Sequence, residues 1–420
     1  MERAIKPRVL IIGLTWPEPR ATAAGVRTFQ LIRFFTSRGY AVSLSSAAGE
    51  PPAETDPEIS EVPFVPIRIN HPSFDELISS LAPEIVVFDR FLTEEYFGWR
   101  VVEKAPNAIR ILDTQDLHSL RQNREEALLE GSSLTPAQWK KSDITKREMA
   151  SLFRCDLSLI ISAFEIEWLQ KNLPIDPSFL FYLPFVFRVG DEIPEKERLP
   201  FEGRRDFVFT GNGRHKANTD AILFLKEEIW PGIRSVLPDA RMLVYGAHLP
   251  REITSLTDSD QGFLVRGWVP EIREVVKVAR VHLMPLRFGA GLKGKLFEAI
   301  LCGTPSVMTS VGAEGTAFSD LQSVVSDDTS GFISRAIKLY SSETLWKEIQ
   351  VKSDTIVRSD FARDAFHDRL QQKLLTLREN LTTSRENNLI GGILLHHTTA
   401  GSKYLSKWIE LKESNKATGQ

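Results

Sequence analysis

A chain of 420 residues is long enough for two or three domains. Its 42% hydrophobic and 25% charged residues describe an ordinary globular protein, and a formal net charge of −3 argues against a nucleic-acid binder that works by bulk electrostatics. The two cysteines, Cys155 and Cys302, stand beside apolar runs and spell neither a disulfide nor a metal pattern, so buried free thiols in a reducing compartment are expected.

The apolar run after Pro7 is too short for a signal sequence and reads as a first strand, 8–13. No stretch approaches the length of a membrane span, and a cytoplasmic protein is expected. Further strands are predicted at 41–45, 84–89, 108–113 and 156–162. Their unbroken apolarity suits strands buried on both faces of a parallel sheet. Helices are predicted between them at 24–37, 74–82 and 134–153. The last opens with Thr135, Pro136 and Gln138, the signature of a capping box with proline at the first helical position. It carries Trp139, Lys140, Lys141, Lys146 and Arg147, a basic side read as a solvated face, with contact to an anionic membrane surface as the alternative.

The pattern stops over 188–205, a Pro-, Glu-, Gly- and Arg-rich linker. A second series follows, with strands at 206–210, 241–245, 262–265, 281–284, 306–309 and 322–325. Helices are expected at 219–229, 270–279, 295–302 and 329–340. Two such series define two doubly wound α/β domains, 1–190 and 191–378, facing each other across a cleft. A helix is expected over 363–378 that can pack back on the first domain. A polar, loose segment at 379–388 and a weakly amphipathic 403–412 complete a tail, 379–420, with no assigned role.

Ligands bind at the carboxyl ends of such sheets, so the residues after each strand carry the functional signal. After 281–284 come Gly289 and Gly291, then a helix starting near Lys293. Free glycine-loop amides and a helix N-terminus favour a phosphate, and Lys293 and Lys295 add positive charge. Glu298 lies one turn beyond Lys295 and can accept hydrogen bonds from a ribose diol; pairing with Lys295 on a solvated face is the plain alternative. Glu314, in the glycine turn after the next strand, is either a second site acid or a residue at a helix start.

This block resembles the donor site of retaining GT-B glycosyltransferases of family 4. Those enzymes share a glycine loop, a helix with a Glu, Gly-x-Pro, a strand and a further glycine turn. The resemblance implies a soluble, metal-independent enzyme without a cofactor. It would move a sugar from a nucleoside-diphosphate sugar to the hydroxyl of a glycan, lipid-linked or small-molecule acceptor, in glycan, polysaccharide or glycolipid synthesis. Glu298 falls on the second acid of the family's Glu-x7-Glu motif, which holds the ribose. The first acid falls on Ala290 and is missing. The turn with Gly211, Arg214 and Lys216 resembles the diphosphate grip, with its charges shifted by one or two positions. Gly25 matches a glycine turn beside the reaction centre, and Arg27 follows as a candidate contact for an anionic acceptor. The segment 111–121 holds Gln115, Asp116 and His118. The family's histidine that touches the transferred sugar is matched by Gln115 in position and by His118 in chemistry. The loop with Ser162 and Glu165 resembles the family's Ser-x-x-Glu, and Glu165 reads as an acid at a helix start. The alternatives are an epimerase-type enzyme acting on nucleotide sugars and a catalytically silent binding protein on the same fold.

Overall fold

The computed structural model describes residues 6–51 and 59–417. Seven parallel strands form the first sheet: β1 (Arg8–Gly13), β2 (Ala41–Ser46), β3 (Phe64–Pro66), β4 (Ile85–Asp89), β5 (Ile109–Asp113), β6 (Leu157–Ile160) and β7 (Leu180–Tyr182), in the order β3-β2-β1-β4-β5-β6-β7. The order reverses between β1 and β4, which makes their carboxyl ends a switch point. The strands form because Val9–Ile12 and Ile85–Phe88 are apolar throughout and pack helices on both faces, giving one apolar cluster per face.

The flanking helices are α1 (Ala23–Ser37), α2 (Ser73–Leu81), α3 (Arg90–Lys104), α4 (His118–Leu129), α5 (Pro136–Lys141), α6 (Asp143–Arg154) and α7 (Ala163–Asn172). Thr22 caps α1 by accepting from Gly25 N at 3.0 Å. The capping box on Thr135 and Gln138 forms as expected, but the single helix predicted over 134–153 is two: Ser142 adopts an extended conformation between α5 and α6.

The second sheet has five parallel strands, β8 (Arg205–Thr210), β9 (Met242–Tyr245), β10 (Phe263–Gly267), β11 (Ala279–Met284) and β12 (Ser306–Met308), in the order β10-β9-β8-β11-β12. Its switch point lies between β8 and β11. The strand expected at 322–325 is absent; only Val325 makes an isolated bridge, to Met308. The helices here are α8 (Lys216–Phe224), α9 (Trp230–Val236), α10 (Arg251–Thr254), α11 (Ile272–Val276), α12 (Gly294–Leu301), α13 (Ser310–Ala313), α14 (Thr329–Ser341) and α15 (Glu343–Asp360). One wide π-turn at Leu225–Ile229 joins α8 to α9.

The chain then returns to the first sheet. Phe366, Leu370, Leu374 and Leu377 of α16 (Arg363–Glu379) enter an apolar cluster of the first domain. The outgoing and returning segments pair: Phe187 N donates to Phe361 O and Arg363 N to Phe187 O, each at 2.9 Å. The tail is helical, with α17 (Leu381–Asn387) where a loose segment was expected, and α18 (Leu389–Ala417). Arg385 orders α17 by bonding Asp156 and the carbonyls of Pro106 and Ala108. Among the described residues no helix is long and apolar enough to cross a membrane.

Candidate functional site

The carboxyl ends of the two sheets line a cavity that is open to solvent on one side and has room for water over about 140 Å³. The first domain contributes the loop after β1, Pro19 to Ala23. The second contributes the turns after β8 (Gly211, Asn212, His215), β9 (Tyr245 to Ala247) and β10 (Trp268, Val269), and from its helices Asn218, Ile272, Gly294, Lys295 and Glu298. The glycines here serve backbone contact. A Cβ on Gly246 would lie 1.9 Å from Gly211 O, so the turns after β8 and β9 pack main chain to main chain.

Lys295 and Glu298 face the cavity from the first turns of α12. The Lys295 ammonium donates to Asn218 Oδ1 and lies 4.3 Å from the centre of the Phe209 ring. Burial pulls this lysine down to about 7 against the attraction of Glu298, and burial pushes Glu298 up to about 7 against Arg273 and Lys295. The site thus holds a cation that is short of compensating negative charge, next to a carboxyl that can accept or donate a hydrogen bond.

The preceding glycine loop behaves differently. Phe288 to Lys293 are buried, and Ala290 joins an apolar cluster of the first domain. Gly291, at φ 63°, donates its N–H to Glu165 Oε1 at 2.8 Å, an acceptor that also takes Leu117 N at 2.8 Å. Gly289 O accepts from Arg124 at 2.7 Å, and Arg124 forms a two-point pair with Glu314 at 2.9 and 2.7 Å. Lys293 turns inward onto the carbonyls of Ala290 and Gly291. So the stretch expected to cradle a phosphate is split. Gly289, Gly291 and Glu314 clasp the two domains together, Lys293 braces its own loop, and Lys295 and Glu298 line the cavity. An acid at position 290 would be buried among first-domain apolar side chains, and the alanine fits that place.

Several other expectations are corrected. Arg27 is 1% exposed and bonds Asp113 at 2.7 Å and Leu183 O at 2.6 Å, so it is a core ion pair, not an acceptor contact. Gly25 packs on the Glu18 backbone, which a Cβ would meet at 2.5 Å. Arg214 is exposed and outside the cavity lining, and Lys216 reaches across to Glu125 of the first domain at 2.8 Å. Between them, His215 lines the cavity instead.

The segment after β5 forms a polar cluster. Gln115, at φ 62°, donates to Asp113 Oδ2 at 3.1 Å. Asp116 bonds Arg121 at 2.7 Å and stands 3.2 Å from His118 Nε2. Burial raises the Asp116 carboxyl, but Arg121, His118 and Arg90 outweigh it and hold it well below the usual range. Burial takes His118 down to about 4 despite Asp116, so its imidazole is neutral near pH 7. Glu148 accepts from the first two amides of α4, His118 N at 2.8 Å and Ser119 N at 2.9 Å. Asp113 and Asp116 are each committed to an arginine. Among the described residues no group of three or more His, Cys, Asp or Glu is arranged to hold a metal ion.

Sequence reasoning missed Asn218, His215 and Trp268 as lining residues, and Arg124 as a domain clasp. Trp268 carried a legible signal, a large aromatic directly after a strand-ending glycine, and it is 56% exposed at the cavity edge.

The fold is GT-B: two doubly wound domains facing across a cleft. Residues 204–342 match the family model described as Glycosyl transferases group 1. This stretch holds β8 to β12 and the whole second-domain wall of the cavity. No curated protein matches the sequence. Among solved structures, sucrose-phosphate synthase from Thermosynechococcus elongatus superposes with a TM-score of 0.67 at 14% identity, covering 89% of this chain and 99% of that one. Anabaena HepE in complex with UDP and glucose gives 0.60 at 11% identity, over 88% and 99% of the two chains. WaaG, a glycosyltransferase involved in lipopolysaccharide biosynthesis, gives 0.57 at 12% identity, over 84% and 95%.

Proposed function

We propose that the protein is a glycosyltransferase that binds a nucleoside-diphosphate sugar in the cavity between its domains and transfers the sugar to an acceptor hydroxyl, with retention. The observation that carries this reading is the Lys295–Glu298 pair, one turn apart at the start of α12, in the inter-domain cavity at the switch point of the second sheet. In a water-poor site an ammonium acts strongly on charge that grows on a departing diphosphate. Lys295 fills that role, Glu298 receives the ribose diol, and Trp268 offers a flat apolar surface to the base. Gln115 and His118, after β5 in the first domain, are not among the residues that line the cavity and are given no part in transfer. The resemblance supplies the mechanism: the acceptor attacks on the leaving-group face and the departing phosphate takes its proton, so no protein nucleophile is needed. The diphosphate is met by protein cations, and transfer survives chelation of divalent metals.

A silent binding protein is the second reading. Ala290 packed into the first domain and the Gly291 amide held by Glu165 favour it. The test is product analysis on a panel of nucleotide sugars and hydroxyl acceptors in EDTA, with the wild type and Lys295→Met. Transfer by the wild type that falls at least a hundredfold in the variant supports the proposal. An epimerised donor formed without acceptor points to an epimerase. Nucleotide binding with no product from any pair supports the silent reading.

A further inference from the structure

α18 runs across α6 and α3 on the outside of the first domain. Its inner face is fixed at both ends. Asn388 donates to Phe153 O at 2.8 Å, and Gly391 sits so close to that carbonyl that a Cβ would lie 2.3 Å from it. Further along, the buried Arg100 bonds Ser406 at 3.1 Å and the carboxylate of Glu410, and Lys403 pairs with Glu103. The outer face is therefore held in one orientation. It presents Ile390, Ile393, Tyr404, Leu405, Trp408 and Leu411, all exposed. Their spacing places them in one stripe along the helix, about 32 Å from first to last. Nothing else among the described residues covers it.

We infer that this stripe is a docking surface for an anionic membrane, on which the helix lies in the plane of the headgroups. Three observations choose that occupant over a second copy of the chain. The seam that a helical partner would fill runs through Ile390, Leu394, His397, Gly401, Tyr404, Trp408 and Leu411. His397 and Gly401 stand at its middle, where interlocking helices need apolar knobs. A lipid surface tolerates that gap. The aromatic residues lie toward the end that carries lysine, with the Lys412 ammonium 4.9 Å from the Trp408 ring centre; Trp and Tyr with flanking Lys suit the headgroup layer. Finally, α5 adds the exposed Lys140 and Lys141 to the same helical layer, positive charge complementary to anionic lipid, while Lys146 and Arg147 of α6 are paired with Asp143 and Glu95. The chain is acidic overall, and this layer departs from that balance. The inference does not depend on the reaction in the cleft.

The experiment is co-sedimentation of the full chain with vesicles of phosphatidylcholine alone and of phosphatidylcholine mixed with phosphatidylglycerol. The wild type is expected to pellet with the mixed vesicles and to be released by salt. Trp408→Glu with Leu411→Glu should lower the partition coefficient at least tenfold. Each of Lys140→Gln, Lys141→Gln and Lys412→Gln should lower it about fivefold. The melting temperature and nucleotide affinity of these variants should stay at wild-type values, which separates lost docking from lost folding. A wild type that remains in the supernatant with both vesicle types overturns the inference. So does a dimer in light scattering that Trp408→Glu with Leu411→Glu dissolves, because the face then belongs to a second copy.

Discussion

Glu165 was legible only as an acid opening a helix, yet it is the residue on which both domains converge. It is fully buried, accepts from one amide of each domain through Oε1, and leaves Oε2 without a partner. Burial raises its carboxyl to about 8 from an ordinary 4.5, with Asp116 adding to the rise and Leu117, Lys293 and Gly291 opposing it. Below about pH 4.5 the acid is neutral in the folded and unfolded chain alike. Between 4.5 and 8 the fold keeps a proton that the unfolded chain has lost, so this group's contribution to stability falls steadily with pH. Glutamine cannot titrate. Thermal melting of the wild type and Glu165→Gln from pH 5 to pH 9 should therefore show the variant gaining relative to the wild type as pH rises. A difference that stays flat across that range would mean the carboxyl is already ionised in the fold.

At the scale of elements, the second domain reaches the first through α4. Arg124 on that helix grips Glu314 and Gly289 O, while Glu125 holds Lys216 at the start of α8. The chain crosses between domains at two places that are hydrogen-bonded to each other, so opening would turn about one hinge. Removing Arg124 leaves Glu314 partly buried without its partner and loosens the closed form. Small-angle scattering of Arg124→Ala without nucleotide should give a larger radius of gyration than the wild type, and saturating nucleoside diphosphate should bring the two together. Identical curves without nucleotide would show that closure rests on other contacts.

The elements themselves were largely readable. β1, β4 and β5 are unbroken apolar runs, and buried parallel strands leave that mark. β3 and β7, three residues each at the sheet edges, leave too little pattern to see. The break at Ser142 was invisible because periodicity continues through it. In the site, Lys295 and Glu298 were found from the order of motifs around them. Arg27, Lys216 and Lys293 were misplaced for a common reason: sequence marks a charge beside a strand end but not the partner that removes it. Asp113 and Glu125, which claim Arg27 and Lys216, come from a distant segment and from the opposite domain, whereas Lys293 folds back onto carbonyls of its own loop, a turn that residue identity alone does not reveal.

At the scale of the whole molecule, the closed arrangement takes up Lys216, Lys293 and Glu314, three of the charged residues that the resemblance placed around the donor. What faces the cavity is Lys295, Glu298, Asn218, His215 and Trp268 from the second domain and Arg20 and Thr22 from the loop after β1 in the first. On the proposed function, the second domain supplies most of the nucleotide contacts and closure is the step that excludes water. Isothermal titration of UDP, GDP and ADP into the wild type and four variants tests it most directly. At least one nucleotide should bind, with Lys295→Met and Glu298→Ala weakening it tenfold or more, whereas Arg214→Ala and Lys216→Ala, at the exposed rim, change affinity less than about twofold. Because burial holds Lys295 near 7 and an arriving diphosphate favours its charged form, binding at pH 8 should also take up a proton, and Lys295→Met should abolish the uptake. Unchanged affinity in both Lys295→Met and Glu298→Ala, or loss confined to the rim variants, would contradict the placement of the nucleotide in this cavity.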